Sequence, residues 1–68
     1  MTIYPCMYRQ NGKDYLYSMC NKMNVNNVVA DMNERLQRGE TRYNGISFSN
    51  IEFFYAGEPY EENFSLYD

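Results

Sequence analysis

The stretch TIYPCMYRQNGKDYLYSM constrains this chain more than any other. Asn11-Gly12 is the dipeptide favoured at the two positive-φ positions of a type I′ turn, and tyrosine-rich, strand-forming runs flank it on both sides. The pattern predicts an antiparallel hairpin in which Gln10 faces Lys13, Arg9 faces Asp14, Tyr8 faces Tyr15, Met7 faces Leu16 and Cys6 faces Tyr17. An ion pair and an aromatic pair then fall directly across from one another, as a correct register requires. Pro5 has no N–H for a ladder, so the first strand must lie at an edge or hold its proline at a free position. Cys20 falls opposite Ile3, which leaves the two cysteines unpaired.

A helix follows. Val25, Val28, Val29, Met32 and Leu36 repeat at the spacing of one helical face. Asn24 is placed to cap its start, and Gly39 stands where a helix-ending glycine belongs. Asp31–Arg35 and Glu34–Arg38 are i,i+4 pairs with the acid first, the favourable orientation on a solvated face. Beyond it, Asn44-Gly45 signals a second turn, and Ile46 to Ser49 alternate as a strand does. The apolar phase slips between Phe48 and Ile51, which a bulge or tight turn at Ser49-Asn50 would repair. Ser49 and Glu52 also read as a capping box for a short helix ending at Gly57, but Ile51, Phe53, Phe54 and Tyr55 favour a strand.

The expected architecture is α+β: a small antiparallel sheet in the order β-β-α-β, with room for one further strand, and one amphipathic helix packed across it. Residues 1–57 are expected to form the single domain, and residues 58–68 an acidic, aromatic C-terminal segment that Pro59 separates from it. At 68 residues the core is near the lower limit for independent stability, so partner binding or self-association would help the fold. With 44% hydrophobic and 18% aromatic residues the chain is far from the composition of a disordered segment.

The residue inventory removes most chemistries. Histidine is absent, and with it the commonest general base and metal ligand near neutral pH. Cys6 and Cys20 lack the paired spacing of zinc ligands and are read as structural thiols. The four glycines stand singly, without a phosphate-cradling pattern. Glu58, Glu61 and Glu62 lack the loop of a calcium site. No catalytic residue, metal site or cofactor is expected. Neither a signal peptide nor an 18-residue apolar run is present, so a reduced, cytoplasmic protein without a membrane span is expected.

Charge points to binding. Residues 1 to 42 hold all six bases and only four acids, whereas residues 43 to 68 hold Glu52, Glu58, Glu61, Glu62 and Asp68 with no base. Aromatic rings lie among these acids. The leading expectation is a protein partner with a basic surface, met by Glu52, Glu58, Glu61, Glu62 and Asp68 as charges and Tyr55, Tyr60, Phe64 and Tyr67 as anchors. Basic surfaces are typical of nucleic-acid-handling proteins. Small acidic proteins with no catalytic set are common among phage and mobile-element inhibitors, and that association suggests a nucleic-acid mimic acting on a host enzyme.

A second reading uses the hairpin. One of its faces carries Tyr4, Tyr8, Tyr15 and Tyr17 and the other carries Ile3, Met7 and Leu16; whichever face misses the helix is exposed. A small nucleic-acid-binding module would use Tyr8, Tyr15 and Tyr17 for stacking and Arg9 and Lys13 for phosphates. The acidic half disfavours it, since phosphates would be repelled. A third reading is a homodimer or structural subunit whose acidic end meets the basic half of a second copy.

Overall fold

The computed structural model describes residues 1–62. Asn11 and Gly12 both take positive φ, 54° and 78°, and fold strand β1 (Thr2–Gln10) back onto β2 (Lys13–Cys20). Four of the expected pairs form, from Gln10↔Lys13 to Met7↔Leu16. The register then shifts: Cys6 faces Ser18, Pro5 faces Met19, and Tyr4 faces Cys20, which corrects the expected Cys6–Tyr17 and Ile3–Cys20 pairs. Tyr17 is the extra residue of a β-bulge. Its consequence is a change of face, because Ser18 and Cys20 now point to the side of Tyr8 and Tyr15 while Met19 joins Leu16 on the other side.

β1 is the central strand. β2 lies on one side, and β5 (Ile51–Ala56) and β6 (Tyr60–Glu61) lie end to end along the other, all antiparallel to it. Pro5 therefore occupies a free position rather than an edge strand. Its carbonyl accepts the Gly57 N–H at 2.9 Å, so its nitrogen also faces that side, where β5 has ended and β6 has not begun. No ladder bond is lost there.

Helix α1 (Lys22–Gln37) lies across the sheet face that carries Cys6, Tyr8 and Phe54. Asn21 caps it, not Asn24: the Asn21 side chain accepts the Asn24 N–H at 2.9 Å. The two asparagines sit three residues apart and either suits the role. Asn21 is selected because β2 ends at Cys20 and leaves it extended, as a cap must be. At the other end Gly39, at φ 84°, donates to Leu36 and Glu40 donates to Arg35, the paired bonds of a Schellman ending. The expected stripe faces the sheet. Val25 and Met32 are buried, and Val28, Val29 and Leu36 pack beside them.

Asn44 (φ 51°) and Gly45 (φ 83°) turn β3 (Arg42–Tyr43) into β4 (Ile46–Ser47), a two-stranded ladder apart from the main sheet. It drops Phe48 into the core. A tight turn at Ser49-Asn50, with Asn50 at φ 63°, then repairs the apolar phase, and residues 51–56 are strand rather than helix. A further shift at Glu52 lets Ile51 and Phe54 both reach the core, where Phe54 packs against Tyr8, Tyr17 and Phe48 at centroid distances of 5.5, 5.9 and 5.8 Å.

Candidate partner-binding surface

With the helix on one face, the other face of the sheet is left without a covering layer. Strand alternation places Met7 and Arg9 of β1 on it, beside Leu16 and Met19 of β2 and Phe53 and Tyr55 of β5. Leu16 is 51% exposed, Met19 59%, Phe53 39% and Tyr60 of β6 42%, values unlike those of a core. The rings are ordered against one another. Phe53 meets Tyr55 edge-on at 5.7 Å, the Arg9 guanidinium lies over Phe53 at 5.3 Å, and the Tyr60 hydroxyl donates to the Met19 sulfur at 3.3 Å. Arg9 contributes little net charge, since its Nε donates to Asp14 at 2.7 Å.

Acids line one border of this face. Glu52, Glu58, Glu61 and Glu62 all lie on or beside β5 and β6, and residues 51–62 contain no Lys or Arg. The side chains of Glu52, Glu58 and Glu62 form no ion pair among the described residues. Glu61 pairs with the N-terminal ammonium at 3.3 Å and accepts from the Thr2 hydroxyl. The Glu62 N–H donates to the Met1 carbonyl at 2.8 Å, so the segment past Pro59 is bound along β1. None of the four forms an ion pair with an arginine among the described residues, although Glu52 stands near enough to Arg9 to favour its charged form. Phe64, Tyr67 and Asp68 lie outside the described residues.

The second set of residues is divided. The tyrosine face is the one that meets the helix, so Tyr8 and Tyr17 pack against the core together with Tyr4. Tyr15 stacks on Tyr8 at 5.5 Å and remains 41% exposed. Arg9 is on the opposite face, neutralised by Asp14, and Lys13 is exposed beside the turn. The four-tyrosine plate that would have served stacked bases is therefore absent from the surface.

Elsewhere, a cleft of about 380 Å³ lies between α1, β2 and Tyr43, floored by Val28 and Met32. Asp31 at its rim is engaged by Arg35, whose guanidinium lies 3.7 Å from the Tyr43 ring centre and also pairs with Glu40. Cys6 is buried, and burial together with nearby Cys20 pushes its thiol up to about 11, which keeps it protonated and unreactive at neutral pH. No group of three metal-ligating side chains occurs among the described residues, and none of the helices there is long and apolar enough to cross a membrane.

Three carboxylates are held below their ordinary range. Asp14 is lowered first by its hydrogen bond from Arg9 and then by one from Tyr55, Glu40 by Arg38 and then Arg35, and Glu61 by Thr2 and then the N-terminus. In the unfolded chain these groups take up protons more readily, so their contribution is complete above the unfolded carboxylate range and lost as pH falls through the lower folded values. Followed by circular dichroism, the fold should be unchanged down to about pH 5 and weaken below about pH 4. A transition centred near neutrality would contradict this assignment.

Sequence reasoning did not single out Leu16, Met19 or Phe53 as surface residues. Met19 was beyond its reach, because an unbulged strand would have turned it inward; Leu16 and Met7 were visible as one of two faces, without a rule to choose between them. Comparison with protein-family models, with curated proteins and with solved structures yields no match to this chain.

Proposed function

We propose that this protein is a non-enzymatic binding module that presents its uncovered sheet face, bordered by the acids of β5 and β6, to a protein with a basic surface. The observation that carries this reading is that the acids of β5 and β6 run along the same sheet edge as Phe53, Tyr55 and Tyr60, the rings of the uncovered face. An apolar, ring-rich area gives contact at low entropic cost, and a border of one charge sign complements a positive rim while repelling acidic competitors. Tyr55 and Tyr60 are the anchors among the described residues, with Phe53 and Leu16 beside them. Glu52, Glu58 and Glu62 supply the charge left unpaired among the described residues, and Glu61 stands among them with its carboxylate shared with the N-terminal ammonium.

A groove shaped to hold a phosphate backbone has the required chemistry, so the module acts as an inhibitor or modulator by occupying such a groove in a nucleic-acid-binding enzyme. Two free thiols suit a reducing, cytoplasmic setting. A nucleic-acid ligand is not favoured, because Tyr8 and Tyr17 are turned inward and Arg9 is already paired.

Reversing Glu58, Glu61 and Glu62 to lysine should abolish capture of the partner from a host lysate, and duplex DNA should compete with the wild-type protein for it. Unchanged capture by the triple variant, with its circular dichroism intact, would reject the reading.

A further inference from the structure

The sheet has two outer edges, and they are treated differently. Along β5 the edge is blocked at its middle: the Asn33 side-chain amide of α1 donates to the Phe54 carbonyl at 2.9 Å and accepts the Phe54 N–H at 2.8 Å, as a neighbouring strand would. Along β2 no strand or side chain plays that part among the described residues, and β2 is the terminal strand of its sheet. Alternation from the Gln10–Lys13 pair turns the backbone groups of Asp14 and Leu16 outward. Past the bulge, Ser18 and Cys20 face β1 and the groups of Met19 turn outward instead.

We propose that this edge is the contact for a second copy of the chain, the two β2 strands pairing antiparallel about a two-fold axis between Tyr17 and Ser18. That register sets Leu16 against the partner's Met19 and Met19 against the partner's Leu16. Two residues separate them on each strand, so the outward backbone groups of one copy meet those of the other despite the bulges. Leu16 and Met19 are 51% and 59% exposed and lie on the same face, so the pairing covers two apolar contacts at once. The ladder ends at Asp14 and Asn21, because one step further sets Lys13 against the partner's Lys22. Pairing covers the long open edge of β2 and joins the two uncovered faces into a single surface. It shares Leu16 and Met19 with the face described above but uses none of the acids of β5 and β6, and self-association of the purified chain is read without any partner.

Sedimentation of the wild-type protein should show a concentration-dependent dimer. Leu16→Lys alone and Met19→Glu alone should each weaken it by about tenfold or more, since either spoils both contacts. The variant carrying both substitutions should restore it, because the lysine introduced on each copy then faces the glutamate introduced on the other, and added salt should weaken that restored dimer. Both positions are exposed, so circular dichroism should be unchanged in all three. A wild-type chain that stays monomeric at all concentrations overturns the proposal and leaves the edge to an extended segment of another protein. Singles that dissociate without rescue in the double variant overturn it too, since a face-to-face dimer would behave in that way.

Discussion

Phe54→Ala should leave the protein largely unfolded at room temperature. Phe54 is 2% exposed and its ring meets those of Tyr8, Tyr17 and Phe48, so it joins the hairpin, β5 and the segment after β4 in one contact. Removing a buried phenyl ring costs about 3–5 kcal/mol. A domain of this length holds only about 3–10 kcal/mol in total. The loss is therefore comparable with everything that keeps the chain folded. Its neighbour is the control: Phe53→Ala removes a ring that is 39% exposed on the uncovered face and should cost about 1 kcal/mol, mostly contact with Arg9 and Tyr55. Circular dichroism without denaturant separates the two, Phe54→Ala losing the folded signal and Phe53→Ala keeping it with a slightly lower urea midpoint, and equal losses would mean that the two faces of the sheet have been assigned wrongly.

Asn33→Ala should destabilise the fold by about 2–4 kcal/mol, a large effect for a helix residue outside the apolar stripe. Its amide is the only partner of the outward N–H and C=O of Phe54 among the described residues, and both groups lie between β5 and the helix. Without it the donor and acceptor are left unpaired in a partly buried place, each at a cost of about 1–3 kcal/mol. Asn33→Asp should be no better. The carboxylate keeps an acceptor for the Phe54 N–H but sets a negative oxygen against the Phe54 carbonyl, where the amide donated. Amide hydrogen exchange reads the effect at one atom: the Phe54 N–H should exchange slowly in the wild type and rapidly in Asn33→Ala. Retained protection there would show that something else closes this edge. The variant should also aggregate more readily, since β5 would then offer a bare edge as β2 does.

The local elements were legible because each is set by nearest neighbours. Asn-Gly turns need two residues able to take positive φ, and both such dipeptides turn as read; the stripe from Val25 to Leu36 is an unbroken helical period; Gly39 ends the helix where a left-handed residue is needed. The α+β arrangement, with one helix across an antiparallel sheet, follows from that order of elements. The acids of residues 52–62 could be read as a group because β5 and β6 follow one another along a single strand.

Other features depend on contacts that no local pattern encodes. The cap moved from Asn24 to Asn21 because β2 runs to Cys20, and its length is set by pairing with β1. The hairpin register breaks at Tyr17, the extra residue of a bulge that no turn or periodicity announces. The bulge gives that side to Tyr17, Ser18 and Cys20, and it sends Met19 outward. Asn33 looked like any polar helix residue until the helix was laid beside β5.

What the sequence by itself determined about this protein is the set of its turns, its helix and its uneven charge, because dihedral preferences and formal charges belong to residues wherever they stand. Only the tertiary structure decided which face of the hairpin the helix covers. Both faces are apolar enough to be buried, and packing a single helix leaves one of them to water. That choice turned Tyr4, Tyr8 and Tyr17 inward and left Leu16, Met19 and Phe53 outside.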